Sequence, residues 1–138
     1  MTGLGAGLDK HFVDRAWANA LEVADPNNLT EREYLRLFAA RPGLYIGYTT
    51  LHGVTSYLNG YDQAARRHGG SGLDGFREWL IANHFGEESC LSWWGLIQQI
   101  ALPDLDAVSP FTPEQELRVL DVLFDLLDKF LAQREGAI

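Results

Sequence analysis

One short segment interrupts an otherwise helix-periodic chain: Arg41-Pro42-Gly43-Leu44-Tyr45-Ile46-Gly47. Pro42 disfavours helical backbone at Arg41, so a helix arriving from the N-terminal side must stop there. Leu44-Tyr45-Ile46 is short for a helix, and no partner strand is evident. Residues 42–48 are therefore expected to form an extended elbow between helices. Leu44 and Ile46 should face inward, with Arg41, Tyr45 and Tyr48 facing outward or into a pocket. Thr50 then offers a cap for the next helix.

Residues 8–23 carry Phe12, Ala16, Ala20 and Val23 at helical spacing, with Trp17 and Leu21 widening the face. Asp25-Pro26-Asn27-Asn28 breaks the chain. Thr30-Glu31-Arg32-Glu33 has the form of a capping box opening a helix to about Ala40. Leu51, Val54, Leu58, Tyr61 and Ala65 make one stripe of a third helix. Gly53 and Gly60 lie seven apart beside it, which predicts a close neighbour on that side. A loop follows at His68 to Gly72. Another helix is expected from Leu73 to about His84, anchored by Phe76, Trp79 and Leu80. Ser89 or Ser92 can cap a fifth, whose Trp93, Trp94, Leu96, Ile97 and Ile100 predict deep burial. Pro103 to Pro110 is a turn-rich connection. Thr112-Pro113-Glu114-Gln115 combines a cap, a first-turn proline and a capping-box glutamine. It opens a helix to about Arg134 with the stripe Leu117, Leu120, Phe124, Leu127 and Leu131. The expected architecture is all-α, a compact bundle of about six helices in one domain over residues 8–134. Residues 1–7 and 135–138 are expected to be flexible ends.

The chain has 138 residues, enough to bury a core without staples. Its 19 acidic residues against 11 Lys and Arg give a formal net charge of -8. That balance disfavours nucleic-acid phosphates and anionic membranes as partners and suits a basic protein. Cys90 is the single cysteine, so an intrachain disulfide is excluded. No basic segment leads into a long apolar run near Met1, so no signal peptide is expected, and the expected location is cytoplasmic.

Catalytic chemistry has no constellation to stand on. His52, His68 and His84 are spaced sixteen apart, and His11 with Asp14 makes half a metal site. No metal or cofactor is therefore expected. Cys90 has His84 nearby in sequence but no defined base. The early Gly3-x-Gly5-x-Gly7 run lacks a preceding strand. Binding residues are easier to name. Arg41 can hold a carboxylate or phosphate. Tyr45, Tyr48, His52 and Tyr61 can supply hydrogen bonds to a ligand near the elbow. Tyr45, Tyr48, Trp79 and Trp93 are candidate aromatic anchors for a partner protein.

Two resemblances start from the same segment. Arg41-Pro42-Gly43-Leu44-Tyr45-Ile46-Gly47 followed by Leu51-His52 is similar to a run in the ATPase subunit of type II topoisomerases. The likeness covers about a dozen residues and stops. Asn59 and Asp62 occur without the surrounding ATP- and magnesium-handling pattern, and no Gly-rich lid follows. A broader likeness joins this segment to Leu58 through Gly60-Tyr61, Phe76-x-x-Trp79, Ser92-Trp93 and the Leu123 to Leu127 run. In that order the pieces resemble a small uncharacterised bacterial helical family, some of whose members are associated with toxin–immunity loci. This chain has Leu44 where Met is usual. The resemblance implies a non-catalytic cytoplasmic binding protein, an immunity protein that masks a toxin. The alternative is a small enzyme or accessory protein of a biosynthetic pathway with a ligand pocket near Arg41 to His52. Homodimerisation through the long C-terminal helix is a third arrangement.

Overall fold

A computed structural model describes residues 28–105 and 110–136. Among them all regular secondary structure is helical, in six helices. These are α1 (Glu31–Ala40), α2 (Pro42–Ile46), α3 (Leu51–Arg67), α4 (Phe76–His84), α5 (Trp93–Ala101) and α6 (Pro113–Arg134). The helix expected over residues 8–23, the Gly-rich start and the pair His11 and Asp14 lie outside the described residues. So do the last two residues and the middle of the 103–110 connection. The chain divides into two units, Met1–Gly47 and Tyr48–Ile138.

In the first unit, α1 starts as its sequence predicts. The Thr30 hydroxyl accepts the Glu33 N–H at 3.1 Å, and Glu33 Oε1 accepts the Thr30 N–H at 2.9 Å. These bonds occupy amide donors that the helix start leaves open. Arg41 ends α1 with φ -146 and ψ 66, outside the helical region, as a residue before proline should. The elbow that follows is not extended. Residues Pro42–Ile46 form a helix of five residues. Proline suits a first helical position because its φ is preset and its missing N–H has no partner there. Gly47 closes the turn with φ 81, its N–H donating to Gly43 O at 2.8 Å. Local bonds of this kind remove any need for a partner strand. The expected inward facing fails at Leu44, which is 68% exposed. Tyr45 instead packs edge-on against Tyr34 and Phe38, with centroids at 6.3 and 5.4 Å. Tyr34 and Phe38 are four apart on α1, so one ring spans a full turn.

The second unit is built on α6. It packs against α3, α4 and α5, and α4 packs against α5. Thr50, Ser92 and Thr112 cap their helices through hydroxyls that accept the N–H of Gly53, Gly95 and Gln115. Leu51, Val54 and Leu58 are buried along α3 as the stripe requires. Gly53 is buried as well, but Gly60 faces outward and a Cβ there would meet nothing within 4 Å. The expected close approach therefore does not extend to Gly60.

Helix α4 begins at Phe76 rather than Leu73. Gly72 and Gly75 have φ of 54 and 89, so Ser71–Gly75 winds as turns that a helix cannot include. Asp62 anchors this turn: its Oδ1 accepts the Leu73 N–H at 2.7 Å and Arg66 Nε at 2.8 Å. That bond, more than any other influence, holds the Arg66 guanidinium above its ordinary pKa. Arg134 of α6 reaches the same turn, donating to Gly72 O at 3.0 Å. Phe76 then sits at the centre of an aromatic cluster with Trp79, Trp93 and Phe130, at centroid distances of 6.3, 5.8 and 5.3 Å. Leu80, Leu96, Ile97, Val119, Leu123 and Leu131 complete the fully covered core.

Two expected core residues are not in it. Leu117 is 61% exposed and Trp94 is 37% exposed. Helix α6 has 22 residues and α5 has nine, lengths of about 33 and 14 Å. The buried face of α6 runs from Val119 to Ala132, and Leu117, in the helix's opening turns, falls outside it. Trp93 and Trp94 are adjacent, so about 100° of helical rotation separates them, and one turns outward as the other turns in.

Candidate functional site

The residues nominated from the sequence separate into three groups. Arg41 and Tyr45 belong to the first unit. Arg41 joins α1 to α2, its backbone N–H bonded to Phe38 O at 3.2 Å. Tyr45 holds α2 on α1 through the two ring contacts described above.

Trp79 and Trp93 are packing residues in the second unit. Trp93 is only 8% exposed, and its Nε1 donates to Asn59 Oδ1 at 3.0 Å. An indole placed this way fixes α5 against α3 and cannot anchor a partner from the surface. Trp79 is half-buried beside Phe76 and Phe130, with Nε1 donating to Gln133 Oε1 at 2.9 Å. Tyr61 is half-buried on α3, about two and a half turns beyond His52.

Tyr48 and His52 do reach the surface, and tertiary structure gives them a neighbour that the sequence did not suggest. The Leu51 N–H donates to Glu116 Oε2 at 2.7 Å, across 65 residues of chain. A carboxylate here satisfies an open amide of the α3 start and complements the positive end of its dipole. The bond sets the beginning of α3 beside the first turn of α6. Within about one turn of it lie Tyr48, 57% exposed, Leu117, 61% exposed, and the exposed His52. An aromatic ring, an aliphatic side chain and an imidazole are thus presented from two helix starts. Large apolar side chains left exposed on a protein surface mark contact sites when they are grouped. Leu117 escaped notice because its spacing places it in the stripe of α6. Only the tertiary packing shows that it is left out.

Glu116→Ala is expected to lower stability by about 1 kcal/mol, because the α3 start then leaves an amide with water as its only partner. A lowered urea midpoint at unchanged slope would register this. No change would mean that the carboxylate does not hold the two helix starts together.

The three histidines among the described residues, His52, His68 and His84, are all exposed and far apart in sequence. Among the described residues no group of three or more His, Cys, Asp or Glu is arranged to hold a metal ion. Cys90 is exposed in the connection between α4 and α5. No helix among the described residues is long and apolar enough to cross a membrane. No protein-family model, curated protein or solved structure matches the chain.

Proposed function

We propose that this chain is a non-catalytic cytoplasmic binding protein whose partner docks where α3 and α6 begin, and that its specific role is that of an immunity protein masking a toxin. The observation that carries the binding reading is the exposure of Tyr48 and Leu117 on the two segments that the Leu51–Glu116 hydrogen bond joins. Neither side chain is needed to fill the core, and a large aromatic with an aliphatic neighbour is the kind of group that dominates protein interfaces. A net charge of -8 favours a basic partner and would speed encounter with it. The masking role draws support from the family resemblance of the Arg41 to Gly47 segment and the pieces that follow it.

The test is capture of partners from the source organism at native expression, with the wild-type chain and with Tyr48→Ala plus Leu117→Ser. The wild type should recover a basic protein. The double variant should bind it at least tenfold more weakly, as expected when interface anchors are removed. Its unfolding free energy should stay within about 1 kcal/mol of wild type, since both side chains are exposed. Expression of the captured protein alone should arrest growth, and co-expression with this chain should restore it. Recovery of no partner, or a partner indifferent to both substitutions, contradicts the reading.

A further inference from the structure

We propose that Asn59-Gly60, at the middle of α3, is a deamidation site that the folded chain holds inert and that unfolding releases. The pair occurs once in the sequence. Among the described residues nothing calls for glycine at position 60. Its φ is not in the left-handed region, it faces outward, and an added Cβ would meet nothing within 4 Å. Glycine inside a helix is destabilising against alanine. Asn59 beside it is half-buried, with Oδ1 accepting the Trp93 Nε1 hydrogen at 3.0 Å.

The chemistry is intramolecular, needs water alone and is independent of any partner. The Gly60 backbone nitrogen attacks Asn59 Cγ, forming a carbon–nitrogen bond that closes a succinimide ring. The Cγ–Nδ2 bond breaks, and the amide nitrogen leaves as ammonia with the proton that Gly60 gives up. Water then opens the ring. Attack at Cγ leaves an aspartate, and attack at the Asn59 backbone carbonyl leaves an isoaspartate, with the chain rerouted through Cγ. Glycine makes the first step easy, because no side chain hinders its nitrogen and its backbone is free to turn.

Helical structure prevents that step. Each Cα–Cβ bond in a helix tilts toward the N-terminus, so the Asn59 side chain points away from the Gly60 nitrogen. As a helical amide, that nitrogen donates its hydrogen to the carbonyl four residues back. The Trp93 indole holds the Asn59 amide in place from α5. Asn59 is the central residue of Leu51–Arg67, and its neighbour Leu58 is fully buried. Fraying at the helix ends does not reach it, and freeing the pair requires undoing the core. An isoaspartate at position 59 puts an extra carbon into the backbone of α3 just ahead of Asp62, whose Oδ1 holds the Leu73 N–H. A chain that has reacted this way cannot re-form the helical ladder in register, and a period of unfolding becomes permanent.

Peptide mapping by mass spectrometry tests this on the full chain, incubated at neutral pH in buffer and in unfolding guanidinium chloride. Deamidation at Asn59 should be at least about a hundredfold slower in buffer, because a reaction of the opened state follows the open population. Phe76→Ala, which lowers stability away from the site, should raise the rate in buffer at least about tenfold and leave the rate in denaturant unchanged. Gly60→Ala should fold, since the added methyl has room. In denaturant it should react roughly tenfold more slowly than wild type. Once denaturant is removed, chains carrying isoaspartate should regain less helical circular dichroism than unreacted chains. Equal rates in buffer and denaturant would overturn the proposal, as would an Asn59 that stays unreacted in denaturant. A rate in buffer indifferent to Phe76→Ala, a Gly60→Ala chain that reacts as fast as wild type, or full refolding of the isoaspartate form would overturn it too.

Discussion

Phe76→Ala should lower the unfolding free energy by about 3–5 kcal/mol, a large part of the roughly 5–15 kcal/mol that holds a domain of this kind together. Phe76 is 1% exposed, and its ring touches the Trp79, Trp93 and Phe130 rings from three different helical positions. Removing it takes away buried apolar surface and leaves a cavity among rigid neighbours. Those neighbours cannot collapse freely. Trp93 is tied to Asn59 and Trp79 to Gln133 through their indole nitrogens. Urea unfolding followed by tryptophan fluorescence and by helical circular dichroism would measure the loss. Phe76→Leu should cost much less, since it keeps most of the volume. A loss below about 1 kcal/mol for the alanine variant would show that the cluster does not organise this core.

Gly72→Ala is the second large effect, about 3 kcal/mol, and it arises from backbone geometry rather than lost contact area. Gly72 has φ +54, and an added Cβ would lie 2.5 Å from Asp62 Oδ1, 2.9 Å from Asp62 O and 3.1 Å from Asp62 Cα. The carboxylate could move, but that same oxygen receives the Leu73 N–H and Arg66 Nε. Moving it leaves a partly buried amide without its acceptor. The Asp62 carbonyl and Cα belong to the backbone of α3 and cannot move alone. Gly69→Ala supplies the control. Gly69 also has positive φ, at +90, but a Cβ there meets nothing within 4 Å. It should carry only the conformational cost, about 1 kcal/mol. The difference between the two variants isolates the contact with α3. Equal losses would mean that the turn adjusts without disturbing Asp62.

Both predictions concern places where the sequence was partly legible. Phe76 and Trp79 stood out as anchors of their helix, and the spacing of the α6 stripe found Leu120, Leu127 and Leu131. The helix starts at Thr30, Thr50 and Thr112 were legible to the residue, because a hydroxyl cap works within four residues of chain. What failed were predictions that needed to know the length or position of a neighbour. Leu117 and Trp94 follow the same spacing as buried residues, and nothing local marks them as uncovered. The start of α4 was placed too early for a related reason. Leu73 has the apolar character of a helix position, yet Asp62, eleven residues back, binds its N–H and holds it in a turn.

The segment at Pro42 separates the two kinds of information. Its sequence determined that α1 must end at Arg41, since proline excludes helical backbone at the residue before it. It also determined that Gly47 could turn the chain, because glycine enters the left-handed region at little cost. The same local rules pointed to an extended elbow with Leu44 facing inward, and neither holds. The tertiary structure decided both through Tyr34 and Phe38, which receive Tyr45 and leave Leu44 in water. The same division applies at the proposed binding site. Caps and stripes determine that α3 and α6 exist and where they start. That the segments carrying Tyr48 and Leu117 meet depends on a carboxylate reaching an amide 65 residues away. Local bonding rules act over a few residues, while surface constellations depend on which helices are long enough, and close enough, to cover one another.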